Sequence, residues 1–134
     1  IPEEAARKIP EGFRNSILWQ AGHIYQVAEH FAFASWGLEA KQFDLFREFF
    51  ANTTSPAGWT RQPPTLAEVA QLLAGQPERI RQQWRGKTDE PLVKPYTTRT
   101  GHTMHTFSEI LGFIIYHEGM HYQVIKMYKS MVLK

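Results

Sequence analysis

Residues 106–133 read TFSEILGFIIYHEGMHYQVIKMYKSMVL, and this stretch decides the fold class. Thr106-Phe107-Ser108-Glu109 matches the capping box that starts helices, in which the Thr hydroxyl and the Glu side chain each take a free backbone amide. From there Ile110, Phe113, Ile114, Val124, Ile125 and Tyr128 share one face at helical spacing, which predicts a long helix running to Leu133. His117 and His121 fall on that same apolar face, so both imidazoles are expected in the core.

A buried imidazole needs partners for both ring nitrogens, and an unsatisfied one costs about 1–3 kcal/mol. Side chains four residues apart lie on one side of a helix, close enough to share a divalent cation that satisfies both. The pair is therefore read as metal ligands rather than as two hydrogen-bonded core histidines. His117-Glu118-Gly119-Met120-His121 also spells the zinc-protease signature, in which the Glu activates water on the metal. That class takes its third ligand from downstream, and the metzincin form has Gly and His where Val124 and Met127 stand here. None of the 13 residues after His121 is His, Asp or Glu. A third ligand must come from earlier, and His23, His30, His102, His105 and the carboxylates are the candidates. On one continuous helix His105 would lie about 18 Å from His117. Glu118 is turned away from His117 around the helix and is either a general base or a surface ion-pair partner.

Upstream, Asn15 or Ser16 caps a helix over residues 17–33, with Ile17, Ala21, Ile24, Ala28 and Phe31 at spacings of three and four. His23 falls at the edge of that apolar face, and Trp19, one turn earlier, is read as core or as a pocket wall. Gly37 interrupts, and Leu38 to Phe50 suggests a further helical stretch. Residues 51–64 hold three prolines and a glycine and read as a loop. Thr65-Leu66-Ala67-Glu68 is a second capping box, starting a helix to Trp84 that Gly75 and Pro77 should kink or break. Residues 1–14 read as a loop or short turn, and Pro91 to Gly101 as a connector. No stretch alternates apolar and polar residues as a half-buried strand does. The expected class is all-α, an antiparallel helical bundle forming one domain over residues 1–134.

Composition narrows the function. With no cysteine among 134 residues, disulfides, thiolate metal sites and Cys nucleophiles are excluded, and a metal must be held by nitrogen and oxygen. The net charge of +2 carries no run of like charge, and Arg79, Arg81, Arg85 and Lys87 read as a solvated helix face. No nucleic-acid partner is expected. No apolar stretch approaches the length of a membrane span, so no membrane partner and a cytoplasmic location are expected.

Asn15-Ser16-Ile17-Leu18-Trp19-Gln20-Ala21-Gly22-His23-Ile24, followed by His117-Glu118-Gly119-Met120-His121-Tyr122, resembles the DinB-like (YfiT-like) superfamily of metalloenzymes over nearly the whole chain. The resemblance implies a four-helix bundle in which one His of the second helix and a His-x-x-x-His pair on the last bind a divalent metal. Carried over by position, the ligands are His23, His117 and His121. Relatives follow the second His of the pair with an aromatic, Gly, Gln and Ile, whereas Tyr122, Gln123, Val124 and Ile125 stand here. The family's first helix would precede residue 1, which predicts an exposed apolar groove for a partner subunit to fill.

Three neutral imidazoles leave positions open on an ion, as in catalytic zinc sites. Zinc or nickel is the first expectation for the single divalent ion, with iron, manganese and copper also compatible. The resemblance implies a metal-dependent hydrolase, or an S-transferase that acts on a small-molecule substrate with a low-molecular-weight thiol such as bacillithiol or mycothiol. The alternative is a non-catalytic metal-binding or stress-related module. A homodimer is expected.

Overall fold

The computed structural model describes all 134 residues. Five helices, α1 (Glu3–Arg7), α2 (Ile17–Ala32), α3 (Phe43–Phe50), α4 (Leu66–Trp84) and α5 (Phe107–Val132), accompany two strands, β1 (Pro91–Thr97) and β2 (Thr103–Thr106). Helix makes up 60% of the chain, in line with the expected class, but the strands pair as an antiparallel hairpin and correct the all-α reading. The expected connector is thus β1 and its turn. Apart from half-buried Leu92, β1 is exposed along its length, so no alternation was available to reveal it. The N-terminal loop also contains a short helix, α1, held by the Arg7–Glu3 ion pair at 2.7 Å.

The long helices begin where side chains satisfy free amides. Ser16 accepts from the Trp19 amide at 3.2 Å to start α2. At α4 the capping box is complete: the Glu68 amide donates to Thr65 Oγ1, and the Thr65 amide to Glu68 Oε2 at 2.7 Å. At α5 only half of the expected box forms. Thr106 accepts from the Glu109 amide at 3.3 Å, but the Glu109 carboxylate reaches one residue further back, to the His105 amide. Helix α4 runs through Gly75 and Pro77 without the expected break. Its flanks are pinned to α2: Gln76 Nε2 donates to the Tyr25 carbonyl and to Glu29 Oε1, each at 3.0 Å, and Arg79 pairs with Glu29 at 2.6 Å. These bonds and the buried Val69 and Trp84 hold the segment across a residue that weakens an isolated helix.

Helix α2 is the axis of the molecule and packs against α3, α4 and α5. Leu18 and Trp19 share one apolar cluster with Val69 of α4 and Tyr128 of α5; Ala28 and Phe31 share a second with Trp84, Phe107 and Ile114. Early α2 therefore meets late α5 but early α4, so α5 runs antiparallel to α2 while α4 runs parallel to it. This corrects the expectation of uniformly antiparallel neighbours. The crossover is the long segment between α2 and α4 that contains α3.

Between α4 and α5 lies an open apolar groove of about 360 Å³, walled by Ile80, Trp84, Leu111 and Ile115, with Arg81 and Arg85 of α4 and Glu118 of α5 in its lining. No helix is long and apolar enough to cross a membrane.

Candidate metal centre

Where α2 passes late α5, the structure brings His23, His117 and His121 together, with one ligand nitrogen from each lying within 4.8 Å of the others. The ring centroids are 5.0 Å apart for His23 and His117, 4.7 Å for His23 and His121, and 4.4 Å for His117 and His121. His30 packs instead against Phe31 and Phe43, and His102 and His105 are exposed on the hairpin, so none of these three joins the group. Glu118 is exposed and lines the α4–α5 groove rather than the histidine cluster.

His23 is 1% exposed, not at the boundary where a helical wheel puts it. Every residue of α2 except His30 is buried, so the helix has no wet side from which an edge could be measured. His117 and His121 are half-buried rather than fully inside the core.

Neighbouring groups orient the rings. His23 Nδ1–H donates to the Phe50 carbonyl at 2.7 Å, and Trp19 stacks on the ring at 4.6 Å with its plane tilted by 13°. Trp19 is itself anchored by its Nε1–H donating to Thr54 Oγ1 at 2.9 Å, so it serves as both core and wall. Phe50 comes close enough because position 22 has no side chain: a Cβ there would stand 2.5 Å from the Phe50 ring. On α5, His121 Nδ1–H donates to Gln20 Oε1 at 2.5 Å. With their protons held on Nδ1, His23 and His121 both present an Nε2 lone pair to the centre. Gln20, Gly22 and the Phe50 carbonyl were not singled out from the sequence. Gln20 and Gly22 lie in the His23 segment, but only the packing partner reveals what each does.

The donor set fits a divalent ion. His23 Nε2 is buried and has no hydrogen-bond partner, which is costly unless something else takes its lone pair. His117 Nε2 and His121 Nε2 are 3.1 Å apart. Ligand nitrogens about 2.1 Å from a tetrahedral ion sit roughly 3.4 Å from one another, close to this spacing. The outer nitrogens of His23 and His121 donate to the Phe50 carbonyl and the Gln20 amide oxygen, contacts that fix the tautomer a metal-ligating imidazole needs. The rings are also kept neutral, as ligands must be. Burial, reinforced by His121 and His23, pushes His117 down to about 3. Burial and then His23 push His121 down to about 4. Burial lowers His23 as well, against the Phe50 hydrogen bond that favours its charged form.

A family model described as the DinB superfamily matches residues 1–125. No curated protein matches the chain.

Proposed function

The chain belongs to the DinB superfamily, and from that premise we propose that His23, His117 and His121 hold one divalent ion, zinc or nickel, in an S-transferase that joins a low-molecular-weight thiol to a small electrophile. The observation that carries the metal reading is the partnerless, buried Nε2 of His23 facing two further imidazole nitrogens. When bound, the ion supplies Lewis acidity and open coordination positions, which suit a substrate thiol or a water. His121 is only partly buried, which leaves the centre a path to solvent and favours turnover over a closed structural site. No carboxylate belongs to the group. Thiol transfer, which a depressed thiol pKa alone can drive, therefore suits it better than hydrolysis assisted by a protein base. Gln20 and the Phe50 carbonyl orient the rings, and Trp19 shields the His23 side from water. In this reading α2, α4 and α5 are three rods of a DinB-type four-helix bundle.

Elemental analysis tests the metal: one ion per chain is expected, lost in His117→Ala/His121→Ala. Stoichiometric metal in that double variant overturns the assignment. Thiol consumption with electrophilic substrates, run beside ester and amide hydrolysis, separates the two chemistries, and metal-dependent hydrolysis without thiol transfer refutes the reaction class.

A further inference from the structure

We propose that the cleft between the hairpin turn and α5 binds the carboxylate end of a substrate with an apolar or aromatic body, Arg99 and His102 holding the anion. The proposal rests on the metal reading for the ligand's orientation, its reactive end towards the imidazoles. The cleft measures about 730 Å³, within the range of small-molecule sites. Tyr96, Phe113, Tyr116 and Met120 give it apolar surface, and Arg99 and His102 come from the turn. None of the three histidines lines it, but the Phe113 ring of its wall lies 6.0 Å from that of His117. Asn52, also in the lining, is two residues beyond Phe50, whose carbonyl holds His23.

The turn is built before any ligand arrives. The Thr98 amide donates to the His102 carbonyl at 2.8 Å, the His102 amide to Thr98 Oγ1 at 3.0 Å, and the Gly101 amide to the Thr98 carbonyl at 3.0 Å. Gly101 takes the positive φ of 88° that closes it. The Thr97 and Thr103 hydroxyls pair across its base at 2.9 Å. Arg99 has no ion-pair partner. Glu109, the one acid in the lining, accepts from the His105 amide at 2.5 Å and also attracts His102, so it is charge-compensated locally and leaves Arg99 as the free cation. The cleft therefore offers the unpaired Arg99 guanidinium as the principal donor to a carboxylate, with His102 beside it. Beside them lies apolar surface that favours more than a bare anion.

The test uses 3-phenylpropionate and its uncharged amide, titrated into metal-free and zinc-loaded protein carrying 13C-methyl methionine. The acid should shift the Met120 resonance, with buried Met104 and distant Met127 and Met131 as controls. The amide should bind about 10-fold more weakly, and Arg99→Gln should weaken the acid by a similar factor while leaving metal content unchanged. Equal binding of acid and amide, an unaffected Arg99→Gln variant, or no Met120 shift at millimolar acid overturns the proposal. If the protein takes up no metal yet binds the acid at Met120, the metal reading falls and the anion site stands.

Discussion

Replacing Gly22 by Ala should damage the metal centre through a residue that touches no metal. The added Cβ would stand 2.5 Å from Cδ2 and Cγ and 2.6 Å from Cδ1 of Phe50, against a normal carbon–carbon contact of about 3.5–4.0 Å. The ring would have to retreat by roughly 1 Å, yet it is fully buried and packed against Phe46 and Trp59. Overpacking of this kind costs about 1–3 kcal/mol, and the better helix propensity of Ala returns about 1 kcal/mol. The net loss, up to about 2 kcal/mol, should lower the melting temperature of the metal-free protein by up to roughly 10 °C. Movement of Phe50 also draws its carbonyl away from His23 Nδ1, now 2.7 Å distant, and loss of such an outer contact weakens metal binding about 10–100-fold. Thermal denaturation and zinc competition against a chelating dye measure the two effects. Gly75→Ala is the control, because nothing lies within 4 Å of a Cβ there; it should stabilise α4 without changing affinity. A Gly22→Ala protein that is also stabilised and binds zinc normally would refute the reasoning.

Gln20→Leu removes the oxygen that accepts from His121 Nδ1–H, so zinc affinity should fall about 10–100-fold while circular dichroism still reports a helical fold; unchanged affinity would deny Gln20 an orienting role. Folded-state values of about 3 for His117 and about 4 for His121 lie below the unfolded value of about 6.5. As pH falls below that value the unfolded chain takes up protons that the folded chain refuses, so stability drops. The metal-free protein should lose on the order of 1–2 kcal/mol per histidine by pH 5, allowing for their partial exposure. A urea midpoint that stays constant from pH 7 to 5 contradicts this. Finally, the α4–α5 groove has Arg81 and Arg85 on one helix and Glu118 on the other, so a second copy related by a two-fold axis would meet opposite charge and apolar surface. Sedimentation should give a homodimer that Ile115→Glu dissociates; a wild-type monomer at high micromolar concentration refutes this pairing.

The sequence made the long helices legible because each begins with a side chain that caps it and then repeats its apolar residues at helical spacing. The His117/His121 pair was legible for the same reason: spacing within one helix is a local property. What the chain does across space was not. The wheel misplaced His23 because α2 is buried almost all round, which removes the contrast that a wheel reads. The parallel course of α4 depends on how the α3 segment crosses over, and nothing local encodes that. The hairpin stayed hidden because β1 is almost wholly exposed, and α1, at five residues, is too short to show a period. Resemblance to relatives, not periodicity, pointed to His23 as the third member, and the fold sets it beside His117 and His121.

The cluster joins residues far apart along the polymer: 93 residues lie between His23 and His117. A nascent chain leaving the ribosome cannot assemble it until α5 has emerged and docked. The three imidazoles thus meet only once α5 has docked on α2, and an ion shared among them would report that docking.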